Sequence, residues 1–74
     1  MTKAPNIIRY NNEYWFKKIV PYKYVTRPGF YGYKGYYFNY NTGEEKCLVV
    51  IVELAKWQVE KYLNEYLVSR QIIN

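Results

Sequence analysis

The chain has 74 residues, a formal charge of +5, one cysteine and no histidine. That length is one small domain, with room for about one sheet and one helix. The lone Cys47 excludes an intrachain disulfide, the missing histidine removes the commonest metal ligand and general base, and no apolar run approaches the ~20 residues of a bilayer span.

Residues 1–6 read as a flexible arm with no long apolar stretch behind them, which predicts a soluble cytoplasmic chain without a signal peptide. Ile7-Ile8-Arg9-Tyr10 suits a short strand, and Asn11-Asn12 a tight turn, because Asn tolerates positive φ. Tyr14 to Val20 is rich in strand formers, and Pro21 ends that strand or marks a sheet edge, with Tyr22 to Thr26 extending it past a bulge. Arg27-Pro28-Gly29 is the strongest turn signal. A hairpin follows: Tyr33–Tyr40, a turn at Asn41-Thr42-Gly43 with Gly43 left-handed, and Glu44–Val52. Leu48 to Val52 is apolar on both faces, which predicts a buried central strand with Cys47 as a small core residue. Residues 53–73 lack Gly and Pro and read as a helix. At 100° per residue, Ala55, Val59, Tyr62, Leu63, Tyr66 and Ile73 form the face that packs on the sheet. Leu54, Trp57, Val68 and Ile72 form a second stripe, read as a homodimer or partner interface, with Glu60 and Lys61 on the exterior. The expected fold is α+β, a three- to four-stranded antiparallel sheet with one C-terminal helix on one face.

Charge and aromatic content are both concentrated at one end. Residues 1–40 hold Lys3, Arg9, Lys17, Lys18, Lys23, Arg27 and Lys34 against Glu13, a balance of +6, while residues 41–74 sum to −1. Thirteen of the sixteen aromatic residues also lie in the first forty positions. Interleaved rings and cations suit nucleic acid, the rings stacking on bases and the cations meeting phosphate. A strand has two faces, so Tyr31, Tyr33, Tyr37 and Asn39 share one and Phe30, Lys34, Tyr36, Phe38 and Tyr40 the other; the helix takes one set and leaves the other for binding. The expected phosphate contacts are Lys17, Lys18, Lys23, Arg27 and Lys34, and the expected ring contacts Tyr31, Tyr33 and Tyr37, with DNA ahead of RNA. Gly29, Gly32 and Gly35 do not follow the dinucleotide fingerprint and read as places where backbone kinks. Glu44, Glu45, Glu53, Glu60 and Glu65 form no acid–base pair, so the expectation is a binding protein rather than an enzyme, without metal or cofactor.

Two family resemblances fall on the hairpin. Tyr36 to Glu44 resembles the second and third strands of a WW domain, but Cys47 stands where that family has a Trp and Val50 lies near its Pro, so proline recognition does not carry over. Gly35-Tyr36-Tyr37 through Thr42-Gly43, a further strand and a terminal helix are similar in layout to the arm-site DNA-binding domains of phage-type tyrosine recombinases. That resemblance implies a sheet that docks on DNA, backed by a helix. Abundant Lys, Ile, Tyr and Asn suit an AT-rich viral or mobile-element gene, and the absence of Asp with only two Gln resembles a thermophile's balance. The second functional reading is a protein–protein module, such as a viral factor that inhibits a host protein through the same Tyr-rich surface.

Overall fold

The computed structural model describes residues 3–26, 28–41 and 43–72. Four strands follow one another as an antiparallel meander: β1 (Ile7–Tyr10), β2 (Glu13–Lys23), β3 (Tyr31–Asn41) and β4 (Glu44–Glu53), in that spatial order, followed by helix α1 (Lys56–Ser69). This is the expected α+β architecture. Asn11 and Asn12 have φ of 56° and 64°, the pair of positive values that a tight type I′ connection requires, and Gly43 sits at φ 82° in the second hairpin turn. Between β2 and β3, the Tyr24 N–H donates to the Phe30 carbonyl at 3.1 Å and Gly29 takes φ 89°.

Three strand readings are settled. First, β2 runs unbroken through Pro21, which marks a sheet edge rather than the end of the strand. β1 pairs with β2 only from Glu13 to Phe16, so Pro21 lies where one side of β2 faces no strand and its missing N–H costs no ladder bond. Second, β4 is an edge strand, not the central one. Of its continuous apolar run, Leu48, Val49 and Ile51 pack against the core, while Val50 and Val52 pair with Tyr36 and Lys34 on the opposite face, where Val50 is exposed. Third, Cys47 is exposed. A bulge opposite Tyr37 and Phe38 makes Leu48 an extra residue, and this turns Cys47 to the face it shares with Phe38.

The helix lies over β3 and β4 and buries Val59, Leu63 and Leu67. Gly35 permits this approach: a Cβ there would overlap Val59 Cγ1 and would stand 3.1 Å from Leu63 Cδ1. The buried face is rotated from the expected one. Tyr62 is exposed, whereas Glu60, expected outside, falls roughly 20° from Leu67 on the wheel and is buried. The helix begins and ends inside the expected 53–73, and Ile73 lies outside the described residues. After Ser69 the chain reverses. Gln71 adopts φ 56°, its N–H donates to the Val68 carbonyl at 3.0 Å, and the Ile72 N–H donates to the Leu67 carbonyl at 2.9 Å. This Schellman closure folds Ile72 back into the core and removes it from the expected outer stripe.

Residues 3–6 are docked rather than loose. Ala4 is buried, its N–H donates to Glu60 Oε2 at 3.2 Å, and its carbonyl accepts from Lys17 Nζ at 2.8 Å. The Pro5 carbonyl accepts from the Tyr37 hydroxyl at 2.6 Å, and the Asn6 carbonyl from the Lys17 backbone N–H at 2.8 Å. Lys17 Nζ also meets Glu60 Oε1 at 2.6 Å, an almost fully buried ion pair that ties β2, the arm and the helix together.

Candidate nucleic-acid interface

Strand register decides which side chains the helix leaves open. Ile7 pairs with Phe16 and Arg9 with Tyr14, and across β2–β3 Phe16 meets Phe38, Lys18 meets Tyr36 and Val20 meets Lys34. Across β3–β4, Phe38 meets Cys47 and Tyr40 meets Glu45. Side chains alternate along a strand, so all of these stand on the face opposite the helix. Gly35 and Tyr37 are the intervening residues, and both lie beneath α1.

The centre of the open face is a set of rings. Phe38 lies 6.0 Å from Phe16, 5.9 Å from Tyr36 and 5.6 Å from Tyr40, measured between centroids. The rings are tilted or edge-to-face, the arrangement aromatic quadrupoles favour. Lys34 Nζ lies 5.4 Å from the Tyr36 centroid and the Arg9 guanidinium 5.8 Å from that of Tyr14, so cations flank the ring set from β1 and β3. Tyr14 and Tyr40 are 60% and 67% exposed, enough for a planar group to lie on either. Glu45 marks the acidic corner: it accepts from the Tyr40 hydroxyl at 3.1 Å, and that hydrogen bond and its charge hold the Tyr40 hydroxyl above its usual range.

The residues expected to bind are divided by this geometry. Lys18 and Lys34 belong to the open face. Lys23 and Tyr31 are exposed and paired with each other at the far end of β2–β3, with the alternation of the opposite face, and Tyr33 is half-buried on that helix side. Tyr37 is 0% exposed, and burial first, with the Glu60 charge second, pushes its hydroxyl pKa up; no ring contact with a ligand is open to it. Lys17 is committed to Glu60. Arg27 lies outside the described residues. Arg9, Tyr14, Phe16, Tyr36, Phe38 and Tyr40 were not among the expected contacts, yet they make up most of the face. The signal for them was Gly35: a residue without a side chain marks the strand face a helix can approach, which assigns Tyr33 and Tyr37 to the core and Tyr36 and Phe38 to the open side.

No family model, curated protein or solved structure matches this chain.

Leu54, just before the helix, and Trp57 and Val68 on it are exposed, but Lys61 and Glu65 lie between Trp57 and Val68, so they form no continuous apolar strip. Among the described residues, no three His, Cys, Asp or Glu side chains come together as metal ligands, and no helix is long and apolar enough to cross a membrane.

Proposed function

We propose that this chain binds single-stranded nucleic acid on its open sheet face, with bases on the rings of Tyr14, Phe16, Tyr36, Phe38 and Tyr40 and phosphates on Arg9, Lys18 and Lys34. The observation that carries this reading is the connected row of rings on one face, flanked by cations. Base-on-ring stacking contributes about 1–3 kcal/mol per base and tolerates any sequence. Four strands at a spacing of about 4.8 Å, with their side chains, make a face too broad for a major groove of about 12 Å, which admits a two-stranded ribbon. Unpaired bases fit it better than a duplex does.

Three cations set a modest salt dependence. On a single strand the expected slope of log K against log[salt] is about −2, a loss of roughly 20-fold between about 50 and 200 mM salt. Anisotropy of a labelled single strand across that range tests the proposal, and absence of binding at the low-salt end would defeat it. A protein partner is the second reading. It is favoured by the exposed Ile7 and Val50 on the same face and by Glu45 at its corner, which suit an apolar protein surface and not phosphate.

A further inference from the structure

The opposite side of the sheet holds a separate, concave site. The helix covers β3 and β4, residues 3–6 lead into β1 beside Lys17 of β2, and a groove of about 850 Å³ opens between arm, β2 and the start of the helix. Its lining includes Lys3, Lys17, Ile19, Lys56, Trp57 and Glu60. That volume falls within the range of small-molecule sites, about 300–1,000 Å³.

Its charge is unbalanced. Glu60 is fully engaged, one oxygen by Lys17 Nζ and the other by the Ala4 N–H, so its negative charge is neutralised within the wall. Lys3 and Lys56 form no ion pair among the described residues, and they reach the groove from different elements, the arm and the first helical residue. Trp57 is 51% exposed at the same site, an indole that the core does not use. The groove thus presents two uncompensated ammonium groups, a half-exposed aromatic plane and an apolar wall that includes Ile19. An anion carrying a planar ring complements all of these at once.

We infer that this groove binds a nucleoside phosphate, with its base against Trp57 and its phosphate between Lys3 and Lys56. The site stands apart from the open face and does not depend on it. The same chemistry is offered by a free mononucleotide and by the phosphorylated end of a strand.

Tryptophan fluorescence tests the inference. Trp15 is buried and donates its indole N–H to the Tyr10 carbonyl, so quenching by a ligand reports Trp57. Adenosine monophosphate, adenosine and inorganic phosphate are titrated separately, with calorimetry for variants that lack the indole. The expected result is saturable quenching by the monophosphate, with adenosine and phosphate each at least about tenfold weaker. Trp57→Ala weakens monophosphate binding by about tenfold or more. Lys3→Ala with Lys56→Ala weakens the monophosphate but not adenosine. Phe38→Ala leaves the monophosphate affinity unchanged, which separates this groove from the open face. A 5′-phosphorylated oligonucleotide that binds more tightly than both its 5′-hydroxyl counterpart and the monophosphate assigns the site to strand ends; equal or weaker binding than the monophosphate assigns it to the free nucleotide. No saturable binding of the monophosphate, adenosine binding as tightly as the monophosphate, or unchanged affinity in the Trp57 and lysine variants overturns the inference. All three positions line an open groove, and circular dichroism verifies that the variants are folded.

Discussion

Gly35→Ala is the sharpest test of how the helix is seated. The new Cβ would overlap Val59 Cγ1, with Leu63 Cδ1 at 3.1 Å and Ile19 Cγ1 at 3.3 Å. It would be held on a central strand and meet side chains fixed on a helix and a neighbouring strand, so no flexible end can swing away. Overpacking of this kind costs about 1–3 kcal/mol. Gly35 has no positive φ, so alanine also restricts the unfolded chain and returns about 0.4–1 kcal/mol. The net expectation is about 1–2 kcal/mol of destabilisation, and at about 4–8 °C per kcal/mol for a domain of this size the midpoint falls by roughly 5–15 °C. Thermal and urea unfolding followed by circular dichroism measure it. Val59→Ala removes the overlapping methyl, so the double variant should be more stable than the sum of the two single losses predicts. A Gly35→Ala protein as stable as the parent, or strictly additive losses, would show that the helix does not sit on Gly35.

Three further outcomes concern side chains that the fold buries or exposes. Glu60→Ala leaves the buried Lys17 ammonium without its carboxylate and should cost about 3–5 kcal/mol in urea unfolding, whereas Lys17→Met with Glu60→Leu should cost less than that single change, its remaining loss being the Ala4 N–H and carbonyl left without their side-chain partners. The Tyr37 hydroxyl is held above its usual 10.0 by burial, then by the Glu60 charge. Its raised folded-state pKa contributes stability that is fully present below about pH 10 and is lost as pH rises beyond it, because the unfolded chain releases that proton first. In an alkaline near-ultraviolet titration Tyr37 should ionise only as the fold is lost, while the exposed Tyr40 ionises in the folded protein. Cys47 is exposed, so a thiol reagent should modify it in native buffer at the rate seen in denaturant to within about tenfold; strong protection would contradict the bulge that turns it outward.

Local chemistry made the order of elements legible. Asn11-Asn12 and Asn41-Thr42-Gly43 announce their turns, and an uninterrupted run without Gly or Pro announces the helix. What depended on distant partners was not legible. Leu48 to Val52 reads the same whether strands flank it on two sides or on one side only, with the helix on one face, so the edge position of β4 was not legible. The Lys17–Glu60 pair spans 43 residues and no local pattern announces it, although it removes a cation from the expected site and draws a glutamate into the core. Ile72 was placed outside because Gln71 carries no signal for the left-handed turn that folds it inward. For the site, the two sets of alternating residues on β3 were legible, but which set the helix covers depends on Gly35 lying under Val59. That one contact moves the expected ring contacts from Tyr33 and Tyr37 to Tyr36, Phe38 and Tyr40.

The most direct measurement of the central claim is the affinity of a labelled single-stranded oligonucleotide for the parent chain, Phe38→Ala and Tyr40→Ala at low salt, beside the matching duplex. Loss of one stacking ring at about 1–3 kcal/mol predicts binding weakened by about 5- to 150-fold in each variant, with the single strand bound more tightly than the duplex. Equal binding by parent and variants, tighter binding of the duplex, or no binding of either nucleic acid would contradict the account.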